Sequence, residues 1–288
     1  MARTGKVDYH IHYYLDKCAN GEMKLENIVP VAMSLHLEEI AIIKHYSDCL
    51  PNNKEKWVDW KRIDPEKFDL YLKEMKQFTV PKGIHILSGV ETELLDESGK
   101  INISPEKAAK VDVILLSVHW MPELEIIHKI FPVLINPYDP VELAAIEPRW
   151  NEVKNDIGCR QIINAYVTAY INALQNNEQI KVLAHMRYGC DLLERLGLLG
   201  PNIDLVECFE PLFEVVAKRN VLWEINSPVK HKEILLQANK KGVKFVATKD
   251  SHSLSVLKNR LLIEQYIDSL GLNKGVIYKK RFNTYRFS

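Results

Sequence analysis

No run of apolar residues in this chain approaches the roughly 20 needed to cross a bilayer as a helix. The opening Met1-Ala2-Arg3-Thr4-Gly5-Lys6 also lacks the apolar core of a signal peptide. A cytoplasmic protein with no membrane partner is the expectation. An excess of charge of one sign is missing too: Lys plus Arg and Asp plus Glu number 38 each. With no overall field to draw it, long nucleic acid is a poor partner, although a local basic pocket stays open. Cysteine is sparse: Cys18, Cys49, Cys159, Cys190 and Cys208 are scattered, odd in number and contain no Cys-x-x-Cys pair. This argues against a disulfide scaffold or a structural zinc finger, and the five read as buried or half-buried thiols.

What is present is core-forming capacity. Apolar residues make up 47% and charged residues 26% of the 288, the balance of a soluble globular protein. An α/β barrel of this length is ordinarily one domain, so residues 1–288 are expected to form a single barrel. Apolar segments recur as strand and helix in alternation. Strands are expected over 7–10, 39–43, 84–90, 111–118, 181–184, 221–225 and 243–247. Helices are expected over 25–37, from Asp64-Pro65 to about 78, and over 158–175, 205–218, 230–240 and 254–270. Asp64 suits the N-cap and Pro65 the first helical position. Over 120–157 the periodicity breaks down, with Pro122, Pro132, Pro137 and Pro140, so an inserted loop or small helical cap after strand four is expected. Seven β-α units with unalternating apolar strands imply a parallel sheet buried on both faces, best closed into a TIM-like (β/α)7 barrel.

In such barrels chemistry sits at the C-terminal ends of the strands. His10 and His12 follow strand one, His45 strand two, Glu91 strand three, His119 strand four, His185 strand five, and Asp250 with His252 strand seven. Six of the ten histidines thus fall on one rim, joined by two carboxylates. His10 and His12 are two apart, so on an extended backbone both imidazoles face one way. Imidazole nitrogen mixed with carboxylate oxygen suits zinc, manganese or iron rather than calcium. Eight ligands exceed what one ion takes, so two or three divalent ions are expected.

The runs Asp8-Tyr9-His10-Ile11-His12, Lys44-His45, Gly89-Val90-Glu91, Ser117-Val118-His119, Ala184-His185 and Asp250-Ser251-His252 resemble the successive motifs of the PHP (polymerase and histidinol phosphatase) family. They run in order across nearly the whole chain. The resemblance implies a distorted seven-stranded β/α barrel. It also implies one metal held by His10, His12, Glu91 and Asp250, a second by Glu91, His119 and His185, and a third by His45 and His252. A ninth ligand is implied in the loop after the first motif, where Asp16 is the nearest match and Glu22 a poorer one. Asp8, outside the metal shell, reads as a carboxylate that orients one of the imidazoles. Met186-Arg187 stands where a proline is common, and Lys249 where a small or polar residue is usual; neither removes a ligand.

Clustered divalent ions roughly 3.5 to 4 Å apart act as Lewis acids on a phosphoryl oxygen and lower the pKa of a shared water from about 16 to about 7. Hydroxide attack on phosphorus then needs no protein nucleophile. Glu91, Asp250 and His252 are the expected catalytic residues, with Asp250 or His252 the candidate proton donor to the leaving oxygen. Arg187, two residues past His185, is the first candidate to grip phosphate; Arg160 and Lys249 follow, each also readable as a surface charge. Asn226, at the end of strand six, either orients substrate or caps a turn. Length and the expected insertion resemble the histidinol-phosphatase type. The leading expectation is therefore a metal-dependent phosphomonoesterase acting on a small phosphorylated metabolite like histidinol phosphate. A phosphodiesterase or nuclease acting on nucleotides or single-stranded ends, and a non-catalytic metal-binding regulatory domain, are the alternatives. The intact ligand set speaks against the last.

Overall fold

Ile40 to Ile43 and Val113 to Leu116 carry apolar side chains at every position, which only a strand buried on both faces accommodates. The computed structural model, which describes residues 6–49, 65–119, 121–128, 140–200 and 202–277, with backbone alone at 65, 128, 142–143, 146, 155–157 and 186–190, shows both segments as such strands. Seven strands, β1 (Val7–His12), β2 (Glu39–His45), β3 (His85–Glu93), β4 (Val113–Ser117), β5 (Ile180–Leu183), β6 (Leu222–Ile225) and β7 (Lys244–Ala247), pair in that order. Every pair is parallel. The sheet is a nearly closed TIM-like (β/α)7 barrel. At the remaining seam Ser251 bridges β1, its N–H donating to His10 O at 3.0 Å and its carbonyl accepting from His12 N–H at 2.9 Å.

Helices fill the crossovers: α1 (Leu25–Ser34), α2 (Pro65–Gln77), α3 (Pro105–Ala108), α4 (Glu125–His128), α5 (Pro140–Ile157), α6 (Cys159–Asn176), α7 (Met186–Arg195), α8 (Leu205–Arg219), α9 (Lys232–Lys240), α10 (Leu254–Lys258) and α11 (Leu261–Ser269). None of them is long and apolar enough to cross a membrane. Of the segment expected to be inserted, residues 140–157 form α5, while 120 and 129–139, like the expected cap Asp64, lie outside the described residues. Two expectations need correction. Residues 186–195, where no helix was expected, are helical. The last helix is broken at Asn259–Arg260, where the Arg260 side chain turns inward.

Strand alternation sorts the apolar residues into two cores. Ile40 and Ile42 point outward into the layer between sheet and helices. Ala41, Ile43, Leu87, Val113, Leu115, Val182, Ala184, Leu222 and Val246 point inward and fill the barrel floor. Gly89 belongs to this inner layer, where an added Cβ would meet Ile43 Cδ1 at 2.5 Å and Val113 Cγ1 at 2.7 Å. β1 departs from strict alternation: Tyr9 packs in the inner core and Ile11 in the outer. The register shift between Asp8 and Ile11 absorbs the difference. Above the apolar floor the inward rows turn polar, with Glu91 and Glu93 on β3, Glu224 on β6 and His45 ending β2.

Candidate metal centre

The polar upper layer converges on Glu91, which is buried. Its Oε2 lies 3.4 Å from His10 Nε2, 3.5 Å from His12 Nε2 and 3.1 Å from His45 Nδ1. Its Oε1 lies 3.0 Å from His185 Nε2 and 3.6 Å from His119 Nε2. Asp250 closes the first group, with Oδ1 at 3.3 Å from His10 Nε2 and 3.0 Å from His12 Nε2, and its Oδ2 reaches within 3.8 Å of His185 Nε2. His10 and His12 bring their Nε2 atoms to 3.1 Å of each other. His252 stacks on His12 with ring centroids 4.1 Å apart. Four sets of donors are therefore close enough to share ions: His10, His12 and Asp250; Glu91, His119 and His185; His12, Cys18, His45 and His252; and, deeper, His10, His185 and Glu224.

The rear nitrogens explain why the rings aim as they do. His10 Nδ1 lies 2.7 Å from Glu224 Oε1, His12 Nδ1 3.0 Å from Asp16 Oδ2, and His119 Nδ1 2.5 Å from Glu93 Oε1. His185 Nδ1 faces the Asn226 amide at 3.0 Å, and His252 Nδ1 lies 2.9 Å from the Asp250 carbonyl. With Nδ1 engaged behind, His10, His12, His119 and His185 turn Nε2 into the cluster, the arrangement in which a histidine is a ready metal ligand. Glu224 also accepts from His185 N–H and Thr248 Oγ1–H, both at 2.7 Å. His185 and Asp250 hold left-handed backbone, φ 54 and 53, a conformation of order 1–3 kcal/mol above the usual regions for such residues and concentrated at functional sites.

The electrostatics are those of a cation cage. Burial alone would push the imidazoles toward neutrality. At His12 it is outweighed by hydrogen bonds to Asp16 and Asp250, and the pKa rises to about 9. His10 is raised well above its ordinary value because Glu224, Asp250 and Glu91 overcome burial. Asp250 is likewise held well below its ordinary range, burial being outweighed by His10 and His185. His252 runs the other way, lowered by burial and by His12. Such a field selects positive charge at the centre, whether protons or metal, and the nitrogen and oxygen donors fit a divalent transition ion.

Several residues expected at the site have other occupations. Asp16 uses Oδ2 on His12 and Oδ1 on Lys44 Nζ at 3.0 Å, and both oxygens accept from His45 N–H at 3.1 Å. It holds the His12 ring and the His45 backbone from behind. Glu22 is exposed and its Oε1 accepts from Leu254 N–H at the start of α10. Asp8 touches no imidazole: its Oδ1 accepts from His10 backbone N–H and its Oδ2 lies 3.4 Å from Arg260 Nε. Arg160 is turned away on the helical layer, its guanidinium forked onto Glu207 at 2.8 and 3.1 Å. Lys249 stands beside Asp250 on the rim, half-buried, and Asn226 backs His185. The Arg187 side chain lies outside the described residues. Glu93, Glu224, Thr248 and Cys18 were not foreseen at the cluster. For Glu224 a signal existed: an acid inside Leu222-Trp223-Glu224-Ile225, a strand otherwise buried and apolar, demands a partner. Cys18, expected to be buried or half-buried, is exposed at the edge of the cluster.

The barrel is similar in fold to two solved structures. A candidate histidinol phosphatase from Listeria monocytogenes superposes with a TM-score of 0.60 at 16% identity, over 88% of this chain and 98% of that one. A histidinol phosphate phosphatase from Lactococcus lactis subsp. lactis Il1403, complexed with zinc, L-histidinol and phosphate, gives 0.51 at 20% identity over 93% and 95%. At these identities the likeness is one of fold. No protein-family model matches the chain, and no curated protein matches its sequence.

Proposed function

We propose that the protein is a metal-dependent phosphomonoesterase that hydrolyses a small phosphorylated metabolite of the histidinol phosphate kind. The observation that carries this reading is the split of Glu91: one carboxylate oxygen faces His10, His12 and His45, the other His119 and His185. A carboxylate so divided suits a bridge between two ions. His10, His12, Asp250 and Glu91 would hold one ion and Glu91, His119 and His185 a second, with a third position beside His45 and His252. Zinc is the favoured metal, with manganese and iron acceptable to the same donors. Bound there, paired divalent ions supply Lewis-acid stabilisation of phosphate oxygens and a hydroxide nucleophile at neutral pH.

The chain's own groups do the rest. Glu224, Asp16, Glu93 and Asn226 fix the imidazoles, so the donor set is organised before substrate arrives and little reorganisation accompanies reaction. His252, its pKa lowered by burial and by His12, stays a neutral imidazole able to offer a lone pair to an ion at the third position. Lys249 on the rim and Arg187 in α7 are the cations proposed to meet the phosphate. The evenly balanced charge disfavours a nucleic-acid track, and the L-histidinol and phosphate bound by the Lactococcus lactis neighbour favour a small alcohol as leaving group.

A panel of phosphomonoesters and phosphodiesters, offered to protein loaded with zinc, manganese or iron and assayed for metal content, tests the reading. Turnover of monoesters well above diesters, abolished by a chelator and restored by metal, is expected. Preferential diester hydrolysis would replace the reading with the nuclease alternative. Fewer than two bound ions and no turnover of any ester would leave a binding module.

A further inference from the structure

We infer that Cys18 is a metal ligand: with His45 and His252 it forms, beside His12, a third metal position whose sulfur donor selects zinc over manganese. The inference rests on the metal-centre reading above and goes beyond it, since no thiolate figures in the ligand set that reading uses. Cys18 Sγ and the nearest ring nitrogens of His12, His45 and His252 all lie within 4.8 Å of one another, a span over which one ion can draw in several donors. The sulfur is therefore one member of a converging group.

Two further observations point the same way. The acid expected at this position is already occupied: Asp16 spends its oxygens on His12, Lys44 and His45 N–H. The turn carrying Cys18 is also fixed to the site, because Asn20 N–H donates to the His252 carbonyl at 2.9 Å, Asp16 N–H to Tyr13 O at 2.9 Å and Ala19 N–H to Asp16 O at 3.2 Å. Cys18 thus holds a set place relative to His252. It is exposed, so the open side of such a position faces solvent, as expected of a site with three protein ligands that keeps a place for water or substrate. On binding, the S–H bond breaks, a sulfur–metal bond forms and the proton passes to solvent. Thiolate donors favour zinc over manganese, while carboxylate and imidazole donors discriminate less.

Cobalt makes the ligand visible. Full-length protein stripped by chelation and titrated with Co2+ is expected to develop a near-ultraviolet sulfur-to-cobalt charge-transfer band. Cys18→Ser is expected to lose that band while keeping visible cobalt bands from the remaining positions. In parallel, maleimide labelling of Cys18, read by peptide mass mapping, is expected to slow by about tenfold or more with zinc, as for a sulfur held in a metal bond, and far less with manganese. Visible cobalt bands without charge transfer, or a charge-transfer band that survives Cys18→Ser, would overturn the inference and leave the metal-centre reading standing. Equal protection by manganese would overturn the selectivity. Failure to bind cobalt or zinc at all would overturn both.

Discussion

Glu224→Gln removes one charge from the layer behind the rings while keeping the size of the side chain. The carboxylate accepts three hydrogens at 2.7 Å: Oε1 takes those of His10 Nδ1 and Thr248 Oγ1, and Oε2 that of His185 N–H. Glutamine offers one oxygen. If it serves His10 and Thr248, its NH2 confronts His185 N–H; turned over, it confronts His10. One buried donor is left unsatisfied either way, at about 1–3 kcal/mol. Loss of a carboxylate behind a ligating histidine typically weakens metal binding about 10- to 100-fold, or roughly 1.4–2.8 kcal/mol at 1.4 kcal/mol per decade. Zinc competition against a chromophoric chelator reads the affinity, and circular dichroism of chelated protein reads the fold. Glu207→Gln, which touches only the exposed Arg160 pair, serves as control and is expected to change neither. If Glu224→Gln lowers the thermal midpoint but leaves zinc affinity at the wild-type value, Glu224 is a structural acid and the account of ring orientation is wrong.

Three other perturbations probe the same architecture. Gly89→Ala forces a methyl against Ile43 and Val113 two residues below Glu91; overpacking of about 1–3 kcal/mol is expected in denaturant melts, and a neutral result would show that the barrel floor is looser than described. Arg260→Met strands buried Asp8 and removes the guanidinium that donates to Val7 O at 2.7 Å across the β1–β7 seam; a loss of about 3–5 kcal/mol is expected, and a loss well under 1 kcal/mol would deny Arg260 its role as the strut. In metal-free protein His12 titrates at about 9 against an ordinary 6.5. Its stabilising contribution is therefore full below pH 6.5 and is lost as pH rises toward 9. The thermal midpoint of chelated protein should fall across that window, zinc should flatten the fall, and a flat profile without metal would contradict the charge assignment.

The fold and the clustering of the rim side chains were legible for one shared reason. A strand buried on both faces must be apolar throughout, so Ile40 to Ile43 and Val113 to Leu116 announce themselves, and a polar residue that ends such a run marks the rim. His45 and Glu91 are visible in that way. What failed was whatever depends on partners distant in sequence. Glu224 stands 214 residues from His10, and nothing local joins them. Asp8 was read as an orienting acid because it stood outside the metal shell, yet its carboxylate runs to Arg260 and to His10 backbone N–H. Asp16 was the nearest match to the ninth ligand that the resemblance implies, and sequence could not show that its oxygens engage Lys44, the His12 ring and His45 N–H. Cys18 was passed over because composition treats a lone thiol as packing, and only the return of His252 to the same rim gives it neighbours.

The central claim is that Glu91 joins two ions that together hydrolyse a phosphomonoester. Its most direct test is metal content and phosphomonoester turnover measured side by side for wild type and Glu91→Ala. Wild type is expected to hold at least two ions per chain and to show metal-dependent turnover. The variant is expected to lose at least one ion and to fall in turnover by about a hundredfold or more, on the scale of losing a preorganised electrostatic group. Equal metal content and equal turnover in the two proteins would contradict it.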